Sequence, residues 1–238
     1  PILNLMCDQG LLIRGAPEKG WKSNAHTYYR FDEYFPGMNL SAVEETEARK
    51  SVVKRYIASF GPTTENDASW WTGFPKGQVR RLIEDLEDKI TYVGVPGISG
   101  DYLMLSSDKA SLTSVRPPGA RVINMLPSLD PYLMGYKNRD RCLNRERYNF
   151  VFDRSGNATS TILLDGRVVG VWDFEESSVK IFLFNGTETR VLKEMRVKAK
   201  RIGTFISGKE VKVKEYHSMV PLTQRTAGAV MTPLKNSC

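Results

Sequence analysis

Histidine and cysteine are scarce in this chain. Its 238 residues include two histidines and three cysteines (Cys7, Cys142 and Cys238), and no CxxC pair occurs. An odd number of widely spaced cysteines argues against a disulfide framework and for a reducing compartment. The two histidines cannot complete a zinc site with cysteines at such distances. We therefore expect no structural or catalytic metal ion.

Long apolar runs and the common enzyme motifs are also missing. No stretch approaches about 18 consecutive apolar residues, so the sequence predicts no membrane-spanning helix. The motifs GxSxG, HExxH, P-loop and GxGxxG do not occur, which leaves the enzyme classes that carry them without support. A pair of sugar-cleaving carboxylates is neither supported nor excluded by spacing. The start at Pro1 has no initiator Met and no basic segment, so we interpret it as a cut within an element, not as a signal peptide.

Positive charge is in excess. Lys and Arg total 34 against 27 for Asp and Glu, which gives a net charge of +7 and a pI of about 9.3. A basic chain without a membrane segment points first to nucleic acid as its partner. The alternative at this stage is a basic globular protein whose charges are only solvated. Apolar residues make up 41% of the chain, enough for a packed core.

Residues 1–37 have the pattern of the back half of a winged-helix unit. An apolar helix end over 1–9 stops at Gly10, and strands are predicted at 11–13 and 27–31 with a polar loop between them. The front half of such a unit is not present.

Residues 38–110 repeat the pattern in full. The sequence at 41–44 is a capping box, which predicts the start of a first helix. Thr63 or Thr64 then caps a short second helix that ends near Gly73.

The third helix of this unit is predicted from its first turn at Pro75 and from an apolar stripe at helical spacing. The stripe consists of Val79, Leu82, Ile83 and Leu86. Two short strands at 91–95 and 102–105 complete the unit as a small wing.

Two adjacent tryptophans, Trp70 and Trp71, lie in the short second helix. We expect one indole to fill the core and the other to cover the helix junction, because aromatic pairs mostly pack. Stacking on DNA bases is the alternative.

Residues 111–238 are predicted to be a third region, and the Ser-, Pro- and Gly-rich stretch at 106–120, which overlaps its start, is interpreted as a linker or domain boundary. Its predicted strands are 121–126, 149–152, 161–164, 167–173 and 179–184. Asp165-Gly166 has the signature of a type I′ hairpin turn. A long amphipathic helix at about 187–206 and a final strand at 210–216 follow. The sequence thus predicts an α+β chain with tandem winged-helix units, the first partial, and then a β-rich, barrel-like domain with one long helix.

Three segments together resemble a known family. They are YIASFGPTTENDASWWTGFPKGQVRRLIEDL, MLPSLDPYLMGYKNRDR and TILLDGRVVGVW. In this order and spacing they are similar to the winged-helix DNA glycosylases of the AlkZ and YcaQ type, which unhook DNA interstrand crosslinks and excise bulky alkylated bases. The resemblance runs from about Asn4 to Phe184. It implies base excision without a metal ion or cofactor, by a polar side chain that positions a water and stabilises an oxocarbenium-like sugar.

The chain departs from this family at the catalytic motif. The resemblance implies a Gln-x-Gln or Gln-x-Asp motif near the N-terminus, whereas this sequence has only the isolated glutamines Gln9, Gln78 and Gln224. Either the sequence is a fragment, which the half unit at Pro1 favours, or this family member lacks the first unit. We therefore assign no catalytic residue.

Three basic segments are candidate DNA-binding sites. The third helix of the complete unit carries Lys76, Gln78, Arg80 and Arg81. The corresponding helix of helix-turn-helix proteins usually enters the major groove, and a solvated basic face is the alternative. A loop carries Lys137, Arg139 and Arg141, for which an ion-paired loop with Asp130, Asp140 or Glu146 is the alternative to phosphate contact. The long helix carries Lys193, Arg196 and Lys200 on one face, for which a solvated helix face is the alternative.

The leading prediction is the DNA-binding portion of a crosslink-unhooking or alkyl-base-excising glycosylase, with duplex DNA, including damaged or crosslinked duplex, as its partner. A cytoplasmic, nucleoid-associated location follows from that partner. The alternatives are a non-catalytic winged-helix protein such as a transcriptional regulator, and a module whose winged helices only pack against protein.

Overall fold

The structure, a computed structural model, describes residues 2–20, 23–184 and 189–225. In these ranges the helices are α1 (Ile2–Asp8), α2 (Phe31–Tyr34), α3 (Glu45–Phe60), α4 (Glu65–Thr72), α5 (Lys76–Glu84), α6 (Lys109–Ser114), α7 (Pro131–Met134), α8 (Tyr148–Val151) and α9 (Thr189–Ser207). The strands are β1 (Leu12–Pro17), β2 (His26–Arg30), β3 (Ile90–Val95), β4 (Ile98–Leu105), β5 (Ile123–Leu126), β6 (Thr161–Leu164), β7 (Arg167–Glu175), β8 (Ser178–Leu183) and β9 (Lys212–Tyr216). Short 3-10 turns occur at Leu40–Ala42, Glu87–Lys89, Ser106–Asp108, Arg145–Arg147 and Leu222–Gln224. The predicted α+β class is confirmed. No helix in the described part of the chain is long and apolar enough to cross a membrane.

The chain divides into two compact units, residues 1–51 and 52–238. The first unit contains the antiparallel hairpin β1–β2, with α1 and α2 in contact with its strands. None of its described residues is fully buried, so its apolar side chains remain at least partly exposed. The domain limits given above, 1–37, 38–110 and 111–238, stay a prediction.

Residues 52–60 of α3, together with α4 and α5, form the first part of the second unit. The buried side of α3, α4 and α5 forms one core with Leu103 of β4. All four residues of the predicted α5 stripe lie in that core, which confirms the helical spacing. The antiparallel hairpin β3–β4 follows α5 after the 3-10 turn at Glu87–Lys89. Three helices followed by a hairpin is the order expected of a winged-helix unit.

The start of α3 differs from its prediction. The helix begins at Glu45. Ser41 lies in a 3-10 turn, where its backbone N–H donates to Oδ1 of Asn39. The Glu44 carboxylate accepts a hydrogen bond from the Glu47 backbone N–H at 2.9 Å. Glu44 therefore takes the capping position that the sequence pattern assigned to Ser41.

A five-stranded sheet forms the second part of this unit, in the order β5-β6-β7-β8-β9. The first four strands pair antiparallel, and β9 pairs parallel with β8 after the crossover helix α9. Since β5 and β9 each have one partner among the described strands, the described sheet is open and no closed barrel is found, so the barrel-like form of the prediction is not confirmed. Helix α9 covers one face through Val191, Met195 and Ala199. It was predicted from residue 187, and residues 187–188 lie outside the described ranges.

One local prediction is wrong and one is confirmed. The segment predicted as a strand at 149–152 forms α8, because a short apolar run does not distinguish a strand from a helical turn. The predicted linker contains α6. The turn between β6 and β7 has Asp165 at φ 50° and Gly166 at φ 81°, as a type I′ turn requires.

Gly203 allows α9 to lie close to the sheet. A Cβ atom there would lie 2.5 Å from Cγ2 of Val179 and 2.6 Å from Cγ2 of Val211. We expect Gly203→Ala to lower the free energy of unfolding by about 1–3 kcal/mol because of overpacking, although alanine is the better helix former. Gly77→Ala in α5 is the control, since no atom lies within 4 Å of its Cβ position. Urea denaturation followed by tryptophan fluorescence measures both variants, and an undiminished midpoint for Gly203→Ala would contradict this close packing.

Candidate nucleic-acid interface

A cleft of about 860 Å³ lies in the second unit. Its walls are the first turns of α4 and α5, the hairpin β3–β4 and segment 137–148. The cleft brings together Lys76, Arg80, Lys137 and Arg139 of the predicted DNA-binding residues. Residues from two distant parts of the sequence thus face one depression.

Local sequence explains why α4 and α5 form one wall. The Thr64 hydroxyl accepts a hydrogen bond from the Asp67 backbone N–H, and the Asp67 carboxylate accepts from the Thr64 backbone N–H, which is a capping box. Gly73 ends α4 in the left-handed conformation at φ 73°, and Pro75 precedes the first residue of α5. The predicted caps Thr64 and Gly73 are confirmed. These features turn the chain sharply, so that Lys76 starts α5 at the edge of the cleft.

The basic residues of α5 differ in their surroundings. Arg80 pairs with Glu65 at 3.1 Å, whereas the Lys76 side chain makes no ion pair or hydrogen bond with a described residue. Arg81 is exposed and Gln78 is half-buried. Gln78 and Arg81 do not line the cleft. Groove contact by this helix stays a prediction.

Asp67 joins α4 to the basic loop. Its side chain is 3% exposed. One carboxylate oxygen, Oδ1, accepts hydrogen bonds from the backbone N–H groups of Lys137 at 2.8 Å and Asn138 at 3.2 Å. The other, Oδ2, accepts from the Thr64 hydroxyl at 2.7 Å and from its backbone N–H at 3.3 Å. The carboxylate thereby fixes the first residues of the loop against the helix start.

Two tyrosines also connect the basic loop to the helices. The Tyr56 hydroxyl donates to the carbonyl of Gly135 at 2.7 Å, and the Tyr136 hydroxyl donates to the carbonyl of Phe60 at 2.9 Å. Burial raises the pKa of both phenols above the ordinary value, so they remain protonated donors at neutral pH. The loop is therefore attached to α3 as well as to α4.

Arg139 and Arg141 are occupied within the protein. The Arg139 guanidinium lies 3.9 Å from the ring centre of Phe152 and donates to the Tyr148 hydroxyl at 2.9 Å. The Arg141 guanidinium lies 4.1 Å from the ring centre of Tyr136 and donates to the carbonyl of Pro62 at 3.1 Å. Their partners among the described residues are aromatic rings, a hydroxyl and carbonyls, not the carboxylates of Asp130, Asp140 or Glu146. DNA contact by either residue stays a prediction.

The carboxylates of Asp130 and Asp140, near this loop, bond to neighbouring residues. Asp140 pairs with Arg145 at 2.6 Å, and this arginine lowers the pKa of Asp140 through its hydrogen bonds. The Asp130 carboxylate accepts from the Tyr132 backbone N–H at 2.9 Å and caps α7, which confirms its role in the turn. Lys137, exposed beside them, pairs with no described carboxylate.

The tryptophan pair of α4 is more exposed than expected. Trp70 is 40% and Trp71 45% exposed, so the prediction that one indole fills the core is wrong. Ala68 occupies the core position of α4 instead. The Trp71 ring lies 5.1 Å from that of Tyr56, and the Trp70 ring lies 5.4 Å from the Arg139 guanidinium, so both still pack along one side.

The basic face of α9 lies outside the cleft. Arg196 forms an ion pair with Glu215, and Lys200 with Glu210 at 2.5 Å. Arg196 lowers the pKa of the Glu215 carboxyl through this hydrogen bond. Lys193 is exposed, and no described carboxylate pairs with it. The sequence did not show these partners, because Glu210 lies just before β9 and Glu215 lies within it, both near lysines.

Metal-ligating side chains are dispersed. Among the described residues, no group of three or more His, Cys, Asp or Glu side chains is arranged to hold a metal ion. The groups that do converge are the amides around Asp67 and the cations around the cleft.

Comparison with known proteins gives one consistent match. The family model described as DNA glycosylase AlkZ-like matches residues 1–205. The chain belongs to the AlkZ-like DNA glycosylase family. The match contains the whole cleft and most of α9, so the AlkZ-like resemblance expected from the three sequence segments is confirmed.

One curated protein and one solved structure, both from the same organism, show the likeness in detail. The interstrand DNA cross-link repair glycosylase of Streptomyces sahachiroi is 26% identical over 163 residues, which are 67% of this chain and 43% of the relative. The solved structure of the DNA glycosylase AlkZ from the same organism has a TM-score of 0.74 at 24% identity, over 90% of this chain and 57% of that chain. The chain thus spans less than half the length of the curated relative, and the structural likeness establishes the fold.

Asp67 is a residue of this AlkZ-like chain that the sequence analysis missed. The pattern Thr-x-x-Asp at Thr64 signals the cap, but nothing local signals the second set of donors, 70 residues away. We expect Asp67→Ala to lower the free energy of unfolding by about 2–4 kcal/mol, because partly buried donors on both sides of the junction lose their acceptor. Asp88→Ala, which removes an exposed carboxylate, is the control. Equal urea midpoints for the two variants would argue against the junction.

Proposed function

We propose that this chain is the DNA-binding part of a DNA-repair glycosylase that acts on crosslinked or bulky alkylated bases. The family match over residues 1–205 is the observation that carries this proposal. The Streptomyces sahachiroi relative is an interstrand DNA cross-link repair glycosylase, which suggests the substrate class. The net charge of +7 suits a polyanionic partner. A cytoplasmic location at the nucleoid follows from such a partner.

The mode of binding follows from the helix–helix–helix–hairpin order. We assign α3, α4, α5 and the hairpin β3–β4 to a winged-helix unit, and α1 with β1–β2 to the back half of another. A glycosylase has to bend or open duplex DNA of any sequence before a base leaves the stack. Contacts to phosphates do this without reading sequence. Lysines on rigid elements, such as Lys76 and Lys137, suit that task.

We assign the chemistry of base excision to none of these residues. The family resemblance implies a Gln-x-Gln or Gln-x-Asp motif, and neither occurs in the printed sequence. The chain therefore supplies binding and positioning of the damaged duplex in this proposal.

Duplex binding tests the proposal. We expect this chain to bind plain, abasic and crosslinked duplexes with an affinity that falls with salt, at a log–log slope of about −0.9 for each neutralised phosphate. Damaged duplex should bind more tightly, because extrusion of a base costs less there. Fluorescence anisotropy with the three duplexes measures this. Preference for one sequence with dimers on paired half-sites would instead indicate a regulator. Absence of salt-dependent binding would indicate a module that contacts only protein.

An assay of base release tests whether this chain binds DNA without excising a base. We expect no base to leave an alkylated or crosslinked duplex incubated with this chain, since the glutamine motif is not part of it. Heating the reaction with alkali cleaves abasic products and makes them visible on a denaturing gel. Strand cleavage above that of the duplex alone would mean that a catalytic group lies within residues 1–238.

A further inference from the structure

We infer that the cleft between α4, α5, the hairpin β3–β4 and segment 137–148 holds phosphates of one DNA strand, with Lys76 and Lys137 each neutralising one of them. This inference rests on the proposed function and assigns the binding of DNA to one surface. It unites two basic segments that are 61 positions apart in the sequence and that sequence analysis treated as separate sites.

Lys76 and Lys137 have no ion-pair partner among the described residues that line the cleft. Arg80 is paired with Glu65 at 3.1 Å, and Arg145 with Asp140 at 2.6 Å. Asp67 faces inward to the amides of the loop. The charged groups of the lining without a described ion-pair partner are therefore Lys76, Lys137, Asp101 and the aromatic-bound Arg139.

Lys137 is held on a rigid backbone. Its N–H donates to Asp67 at 2.8 Å, and the preceding residue, Tyr136, is fixed to the end of α3 through its hydroxyl. Lys76 is the first residue of α5 and follows Pro75, whose ring fixes the backbone there. Because both backbones are ordered in the free chain, binding of DNA costs little loop entropy. The two ammonium groups remain in solvent, where they are available to pair with phosphates.

The shape of the cleft favours a strand over a small anion. Its volume of about 860 Å³ is far larger than a phosphate, and the two lysines belong to different walls. The hairpin adds Tyr92, whose side chain is 57% exposed. An exposed aromatic ring beside a basic groove is the usual stacking partner for bases of a nucleic-acid strand.

The test compares two double variants of equal charge. Lys76→Ala/Lys137→Ala removes both cleft lysines, and Lys89→Ala/Lys109→Ala removes two exposed lysines that do not line the cleft. Anisotropy with a plain duplex at several NaCl concentrations gives the affinity and the salt slope. Each lost phosphate contact should reduce the slope by about 0.9 and the affinity at 0.1 M salt by about 8-fold, which makes about 60-fold for the cleft pair. The control pair should bind within about twofold of the native chain. Circular dichroism and urea midpoints verify that both variants fold.

A third variant reverses the sign of the effect. Asp101→Asn removes the unpaired carboxylate of the cleft and should increase duplex affinity, because a phosphate is no longer repelled there. A cleft pair that keeps the native slope, or an unchanged affinity of Asp101→Asn, would overturn the inference while the proposed function stands. Loss of duplex binding to millimolar inorganic phosphate at constant ionic strength would point to a small-anion site and also overturn it. Absence of duplex binding by the native chain would refute the proposed function itself.

Discussion

The buried carboxylate of Asp67 is the constraint on which the second unit depends. It accepts hydrogen bonds from both ends of a junction: the start of α4 on one side and the amides of Lys137 and Asn138 on the other. An isolated buried carboxylate is costly, and the amide and hydroxyl donors offset that cost only when the two segments are together. The helices and the segment that leads into the sheet therefore behave as one body. The walls of the cleft keep their separation for the same reason.

The arginines and the lysines around this junction differ in their contacts. The guanidinium groups of Arg139 and Arg141 lie on aromatic rings and donate to carbonyls, which a planar, always charged group does well. Lys76 and Lys137 extend into solvent without described ion-pair partners. The basic loop thus contains structural cations and available cations side by side. A charge count along the sequence cannot separate the two, because the difference is made by rings that come from distant residues.

Local patterns predicted the parts of the fold that local physics determines. The stripe of α5, the cap at Thr64 and the Asp165-Gly166 turn follow from spacing and backbone preference, and each is confirmed. The strand expected at 149–152 was wrong, since four apolar residues carry no period long enough to choose between helix and strand. The open edges of the sheet and the partners of Arg196 and Lys200 depend on tertiary contacts. Family membership came from three segments in order, whereas the cleft, made of residues far apart in sequence, required the structure.

Hydrogen exchange with and without duplex DNA tests the central claim, that one pre-ordered cleft of the second unit receives the DNA strand. The amides of Lys137 and Asn138 should already exchange slowly in the free chain, because they donate to the buried Asp67 carboxylate. Addition of a saturating plain duplex should slow exchange in the first turn of α5, in the hairpin β3–β4 and in segment 137–148 together. Fast exchange at Lys137 and Asn138 in the free chain, or protection confined to α9 and β9, would contradict the account.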